Sequence, residues 1–239
     1  MKQFRFLFMP LLAVMSVFIT SCGDTTTDQE SGDTTATAVT TTDAVSPSES
    51  ANIMIVRHRV KDFAKWKPSY DAHDSFRLAH GIHSFVIGRG VDDPNMIMVA
   101  AKFDDVEKAK AFGKSEDLKK AMEQGGVTGT PSVMLTTVPF LSTASSSDLR
   151  TISFFTVKEW DTWKTNFEAN KQFRLDNGLE DRAYGHDVDD NHKVVYAGSV
   201  TDSAKVRAYH KSAELKERLQ TSGVEGSPER FWYRVVQSY

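Results

Sequence analysis

The sequence is poor in cysteine, with a single residue, Cys22, among 239. One cysteine excludes an internal disulfide, so the fold gains no covalent cross-link from an oxidising compartment. Cysteine pairs and the spacings H-x3-H and H-E-x-x-H are also missing from the sequence. Because zinc sites and metalloproteases depend on such patterns, we expect no metal site, and no motif indicates another cofactor.

The sequence also lacks a strong excess of either charge. Its 29 Lys and Arg against 32 Asp and Glu give a formal net charge of -3, and no basic run is present. We therefore expect no nucleic-acid partner, since such proteins carry a basic patch or stripe. The charge is unevenly placed, because residues 24–52 contain six acids and no Lys or Arg.

No apolar run is long enough to cross a membrane as a helix. The longest, LFMPLLAVMSVFI, follows two cations near the N-terminus, and this order is typical of a secretory signal peptide. The run ends in Ile19-Thr20-Ser21-Cys22, which resembles a bacterial lipobox. The resemblance implies a lipoprotein signal peptide over residues 1–21, cleavage before Cys22 and acylation of that cysteine. The alternative is an ordinary signal peptide followed by a chance cysteine.

Several acyl chains on Cys22 give stable membrane anchoring, where a single chain would be marginal. The predicted partner is therefore a membrane, and the predicted location is the bacterial cell envelope, with the outer membrane favoured. Residues 22–52 follow as an acidic segment rich in Thr and Ser, without aromatic side chains. Such a composition buries too little apolar surface to fold, so we predict a disordered tether.

What the sequence does contain is an internal repeat. Residues 60–138 return without a gap after a shift of 97 positions, for example VKDFAKWK as VKEWDTWK. Each copy has the pattern of strand, helix, two strands, helix and strand, with Asp62 as a helix N-cap and Gly81 and Gly178 after a helix. This order predicts an α+β fold of two ferredoxin-like β-α-β-β-α-β repeats, over residues 53–140 and 151–239 with a linker at 141–150. The two sheets are expected to pack face to face.

The repeat resembles a known family. The patterns VKD-x2-KWK, FR-x3-G, VDDPN, S-x-x-LK-x-AM and G-V-x-G-x-P are similar to those of the dimeric α/β-barrel superfamily, in its antibiotic-biosynthesis-monooxygenase-like branch. That resemblance implies that the two repeats form one α/β-barrel within a single chain. It also implies relatives that are cofactor-independent monooxygenases or haem-degrading enzymes. The positions matching the aromatic and the haem ligand of the latter are Phe103 and Met122, so we expect no haem.

Candidate ligand-binding residues lie on one face of the first helix of each repeat. They are Trp66, Tyr70 and Arg77 in the first copy, and Trp163 and Arg174 in the second. The aromatic residues also fit a plain helix core. The two arginines either stabilise a helix C-terminus or form a polar handle at the mouth of a cavity.

Histidine is the likeliest acid or base at neutral pH. None of the seven histidines has a histidine at the matching position of the other repeat, so a symmetric pair of histidine sites is excluded. If the protein is an enzyme, the candidate bases are His58, His73 and His83 in the first repeat. Structural roles for these histidines are the alternative.

Three functions are consistent with these residues. The first is an envelope lipoprotein that binds a small apolar or aromatic molecule. The second is a cofactor-independent monooxygenase acting on a phenol or quinol, which the resemblance implies. The third is a structural or protein-interaction lipoprotein. Because a fold hosts many functions, the sequence alone does not decide among them.

Overall fold

The computed structural model describes residues 49–239. The predicted signal peptide, Cys22 and most of the predicted tether lie outside the described residues. The strands are β1 (Glu49–Val60), β2 (Ile82–Gly90), β3 (Met96–Phe103), β4 (Val127–Leu141), β5 (Leu149–Val157), β6 (Leu179–Asp187), β7 (Lys193–Val200) and β8 (Val224–Ser238). The helices are α1 (Phe63–Ala72), α2 (Asp74–Ala79), α3 (Val106–Gly113), α4 (Glu116–Gln124), α5 (Trp160–Ala169), α6 (Lys171–Asp176), α7 (Ser203–Lys211) and α8 (Ala213–Thr221).

Each repeat has the predicted strand and helix order, with every predicted helix divided into two segments. In the second helical stretch of each repeat the division falls at a serine, Ser115 or Ser212, whose hydroxyl accepts a hydrogen bond from the amide three residues on. Serine at this position caps a new helix rather than continuing the old one. In the first stretch the division falls at His73 and at Asn170, which end one segment and begin the next.

The predicted helix ends are confirmed. The Asp62 carboxylate accepts a hydrogen bond from the Ala64 amide and begins α1. Gly81 and Gly178 follow α2 and α6 with φ of 68° and 81°. This left-handed backbone favours glycine, because a Cβ atom there would crowd the chain.

The eight strands form one closed antiparallel barrel in the order β1-β3-β2-β8-β5-β7-β6-β4, and β4 returns to β1. The two repeats meet at two seams, where β2 pairs with β8 and β4 pairs with β6. The sheets are therefore joined along both edges, which leaves no open strand edge within the described sheet. This confirms the intramolecular barrel.

Alternate residues of β1 face opposite sides of the barrel wall. Ile53 and Ile55 pack in the barrel interior with apolar residues from both repeats. Met54 and Val56 belong to a second core between the outer face of the sheet and the helices of the first repeat. The strand period of two thus gives each repeat one core inside the barrel and one beneath its helices.

Two predicted boundaries differ from the structure. Strand β1 begins at Glu49 and its backbone pairs with Leu141, so residues 49–52 belong to the barrel rather than to the tether. Strand β5 begins at Leu149, which shortens the linker to residues 142–148. Residues 49–52 are mostly polar in sequence, and their backbone gains its order by pairing with β4. Among residues 49–239, no helix has the length and apolar character needed to cross a membrane.

Candidate functional site

A cavity lies between the helices and the outer sheet face of the first repeat. Its volume is about 80 Å³, measured as space open to the centres of water molecules. All four strands and all four helices of this repeat contribute to its wall, which is mostly apolar. A concave, apolar site with a few converging polar groups is the usual form of a small-molecule pocket.

The helix side of this cavity carries the predicted aromatic residues. Trp66 is buried, and its ring lies 5.1 Å from that of Tyr70 and 5.4 Å from that of His58. The Tyr70 hydroxyl lies 2.8 Å from the Ser84 hydroxyl on β2. Burial raises the pKa of Tyr70, so its phenol stays protonated at neutral pH. The structure thus brings Trp66 and Tyr70 together on one cavity wall.

Arg77 joins the same wall and is fully satisfied by its neighbours. Its guanidinium donates to the Tyr70 carbonyl at 2.6 Å, to the Ser84 hydroxyl and to the Asp74 carboxylate. It also lies over the Tyr70 ring, 3.7 Å from the ring centre. Because the Tyr70 carbonyl belongs to the last turn of α1, Arg77 acts as a helix C-terminal cation while also lining the cavity. Stabilisation of a helix C-terminus and a polar group at a cavity, the two alternatives left open by the sequence, are therefore compatible.

His58 on β1 forms part of the cavity floor. Its side chain is 4% exposed, and neither ring nitrogen has a hydrogen-bond partner within residues 49–239. Desolvation by burial lowers the pKa of His58 from 6.5 to about 4. At neutral pH the imidazole is uncharged, with one nitrogen able to donate a hydrogen bond and the other to accept one. Its imidazole is thus an unpaired polar group in a cavity whose wall is mostly apolar.

The buried His58 predicts a stability that falls with acid. Below pH 6.5 the imidazole of His58 is protonated in the unfolded chain. In the folded chain it stays neutral until the pH approaches 4. Because the pKa of His58 is lower in the folded state, the folded state has its full stability above pH 6.5 and loses stability as the pH falls toward 4. We expect the contribution of His58 to drop by about 2 kcal/mol between pH 7.5 and 5. Urea unfolding at both pH values measures this, and His58→Phe should have a flatter profile than His83→Phe.

The other two candidate bases differ in placement. His73 lines the cavity, with Nδ1 2.7 Å from the Ser69 carbonyl oxygen. His83 is absent from this cavity wall, and its Nε2 lies 2.9 Å from an Asp104 carboxylate oxygen at the surface. His83 on β2 therefore lies apart from the cavity that His58 and His73 line. Of the three, His58 alone is buried.

The second repeat has a matching cavity with a different interior. Trp163 is buried there, and Arg174 donates two hydrogen bonds of 2.7 and 2.6 Å to Asp181. The Tyr196 hydroxyl donates to the same carboxylate at 3.0 Å. In the first repeat these positions are Ser84 and Val99. Arg174 and Tyr196 thus line the second cavity, whose volume of about 80 Å³ equals that of the first.

Sequence reasoning missed Asp181 and Tyr196. Asp181 lies in a strand of the second copy where the first copy has Ser84, so alignment of the two copies contained this signal. The same alignment places Phe155 opposite His58. The difference between the two copies, rather than their shared residues, therefore indicates which cavity has a free polar group.

The described residues do not fit a metal or a haem. No group of three His, Cys, Asp or Glu side chains converges within residues 49–239. Met122 lines the apolar first cavity, at the position where the haem-degrading relatives carry their ligand.

Comparison with known proteins shows the fold. No family model and no curated protein matches the sequence. An anthrone oxidase-like protein superposes with a TM-score of 0.55 at 16% identity, covering 81% of this chain and 96% of its own. A proposed monooxygenase from Fusobacterium nucleatum has a TM-score of 0.53 at 11% identity, covering 78% and 93%. A proposed chlorite dismutase has a TM-score of 0.52 at 11% identity, covering 79% and 96%.

These likenesses and the closed barrel define the class of the described region, which is a dimeric α/β-barrel with both halves on one chain. At 11–16% identity the likeness extends to the fold alone. The function of this chain must therefore be argued from its own cavity.

Proposed function

We propose that the protein is a membrane-anchored lipoprotein of the bacterial envelope that binds a small apolar or aromatic molecule in its first-repeat cavity. The observation that carries this proposal is His58, whose two ring nitrogens are buried without a partner among residues 49–239. An unpaired buried polar group costs about 1–3 kcal/mol. A ligand that hydrogen bonds to His58 recovers part of this cost.

The cavity chemistry restricts the ligand class. Trp66 and Tyr70 offer ring faces, and the remaining wall is mostly apolar. Arg77 is already neutralised by Asp74, so the cavity offers no free cation to an anionic ligand. The ligand that fits is neutral, with one or two rings and a single hydroxyl or carbonyl directed at His58.

A second function, oxidation of a phenol or quinol by O₂ without a cofactor, is favoured by the monooxygenase and anthrone oxidase-like descriptions of the structural neighbours. In oxidation of a phenol, the phenolic O–H and one ring C–H supply four electrons, so that one oxygen atom enters as a quinone carbonyl and the other leaves as water. His58 would take the first proton. With a pKa of about 4 it is a weak base, and ionising a phenol of pKa near 10 would cost about 8 kcal/mol. This cost favours binding over turnover.

Calorimetry with 2-naphthol and naphthalene tests the binding proposal. We expect His58→Phe, which introduces the residue of the matching position in the second repeat, to weaken 2-naphthol binding about tenfold, the loss of one buried hydrogen bond. Naphthalene binding should be unchanged, because it has no hydroxyl. The matched control is His83→Phe, the same change outside the cavity, and it should leave both affinities unchanged.

The remaining outcomes distinguish the alternatives. Equal 2-naphthol affinities in the wild type and His58→Phe would contradict a ligand hydrogen bonded to His58. Oxygen uptake with an anthrone that disappears in His58→Phe would favour the monooxygenase. If neither compound binds to the wild type, a structural or protein-interaction role is favoured.

A further inference from the structure

A third cavity lies inside the barrel, separate from both helix-covered cavities. Its volume is about 60 Å³, measured as space open to the centres of water molecules, and both repeats line it. Most of its wall is apolar, including Ile55, Met98 and Val195. The polar residues of the wall are Ser142 and a group formed by Arg150 on β5, Arg182 on β6 and Tyr233 on β8.

Arg182 is a buried cation with unused donors. Its side chain is 5% exposed, and its Nε and Nη1 have no hydrogen-bond partner within residues 49–239. Nε of Arg150 is likewise buried without a partner in this region. The rest of the Arg150 side chain is within hydrogen-bonding reach of the Tyr233 hydroxyl. Guanidinium groups are seldom buried without an acceptor, because desolvation costs several kcal/mol per ion.

Other arginines of this protein show what a satisfied cation requires. Arg57, which also faces the barrel interior, pairs with Glu229 and lies 4.5 Å from the centre of the Phe154 ring. Arg174 has the carboxylate of Asp181. The carboxylate that acts on Arg182 is Glu180, and it accepts a hydrogen bond from Ser146. No ion pair joins Glu180 to either Arg150 or Arg182 within residues 49–239, so the cavity wall is positively charged.

The fold itself does not need these arginines. In the first repeat the matching positions are Ile53 for Arg150, Phe85 for Arg182 and Thr136 for Tyr233. Both Phe85 and Arg182 lie at a β-bulge, since the β2–β3 and β6–β7 registers shift at these residues. The same backbone thus holds an apolar side chain in one copy and a cation in the other. Bulges often direct a side chain toward a functional site.

We propose that the barrel interior binds a small monocarboxylate, held between the guanidinium groups of Arg150 and Arg182 with its apolar body among the aliphatic side chains. A carboxylate matches the planar fork of arginine through two parallel hydrogen bonds. Its negative charge offsets the positive charge of the wall. This site is independent of the His58 cavity, where no cation is free.

Thermal unfolding and calorimetry of the folded protein with butyrate test the proposal, with 1-butanol as the uncharged analogue. Butyrate should raise the melting temperature of the wild type, whereas 1-butanol should not. In Arg182→Met the butyrate affinity should fall more than tenfold, because a charged buried hydrogen-bond donor is lost. Arg234→Met is the matched control, since Arg234 is exposed and pairs with Asp148. It should respond as the wild type does.

A second variant, Arg182→Phe, introduces the residue of the first repeat and keeps the test decisive if the methionine variant folds poorly. It too should bind butyrate more than tenfold more weakly than the wild type does. The proposal is overturned if Arg182→Phe and the wild type bind butyrate equally, or if the wild type does not bind it. It is also overturned if chloride or inorganic phosphate stabilises the wild type as well as butyrate does, which would indicate an adventitious ion only.

Discussion

Asp181→Ser is expected to lower the free energy of unfolding by about 3–5 kcal/mol, because it leaves a buried arginine without its carboxylate. The Arg174 and Asp181 side chains are 5% and 6% exposed, and two hydrogen bonds join them. The Tyr196 hydroxyl also loses its acceptor in this variant. Urea unfolding followed by circular dichroism measures the change, with an unchanged dependence on urea indicating the same folded core.

The first repeat indicates a second substitution that should restore stability to the Asp181→Ser variant. There Arg77 has Ser84 at the position of Asp181, and its carboxylate is Asp74, three residues before it on α2. The matching residue before Arg174 is Lys171. Adding Lys171→Asp to Asp181→Ser reproduces the first repeat's arrangement and should restore about half of the lost stability. Lys171→Asp alone is the control, since an acid at a helix N-terminus is itself favourable by about 0.3–1 kcal/mol. A loss below about 1 kcal/mol in Asp181→Ser would show that water, rather than Asp181, satisfies Arg174.

The repeat made the fold predictable from the sequence. An ungapped shift of 97 residues aligned every strand and helix of the two copies. The glycines Gly81 and Gly178 correctly predicted where α2 and α6 end. Helix ends could be predicted because a cap is formed by residues only a few positions apart in the sequence. The start of β1 at Glu49 was not predictable, because its first residues are polar and gain their order from pairing with β4.

The site was predictable in part. Trp66, Tyr70 and Arg77 lie on one cavity wall, as their helical spacing indicates. The burial of His58 was also in the sequence, because it follows Met54 and Val56 at a strand period of two. What the sequence did not contain was the partner of each arginine. Ser84 and Asp181 lie on the strand beyond the helix, and only the tertiary fold brings them to the guanidinium groups.

The two copies differ in the side chains of their helix-covered cavities. In the first, the wall is mostly apolar and His58 has an unpaired imidazole at its floor. In the second, a cavity of the same volume is lined by Tyr196 and by Arg174, which pairs with Asp181. A homodimer of identical subunits must repeat any change at both sites, whereas a tandem chain can change one site alone. The asymmetry of His58 and of Arg182 follows from this freedom.

Cys22→Ala is expected to move the protein from the membrane fraction to the soluble fraction. The reason is chemical, because the sulfur of this cysteine is the atom that would receive the diacylglyceryl group. Removing all acyl chains removes the apolar surface that holds the protein, at about 0.8 kcal/mol for each buried methylene. Fractionation of cells followed by immunoblotting measures the shift, and labelled palmitate should be incorporated into the wild type alone. The control is Thr26→Ala, a nearby change that leaves the lipobox intact and should stay with the membrane. If Cys22→Ala also stays with the membrane after a salt wash, the anchor lies elsewhere and the lipoprotein assignment is wrong.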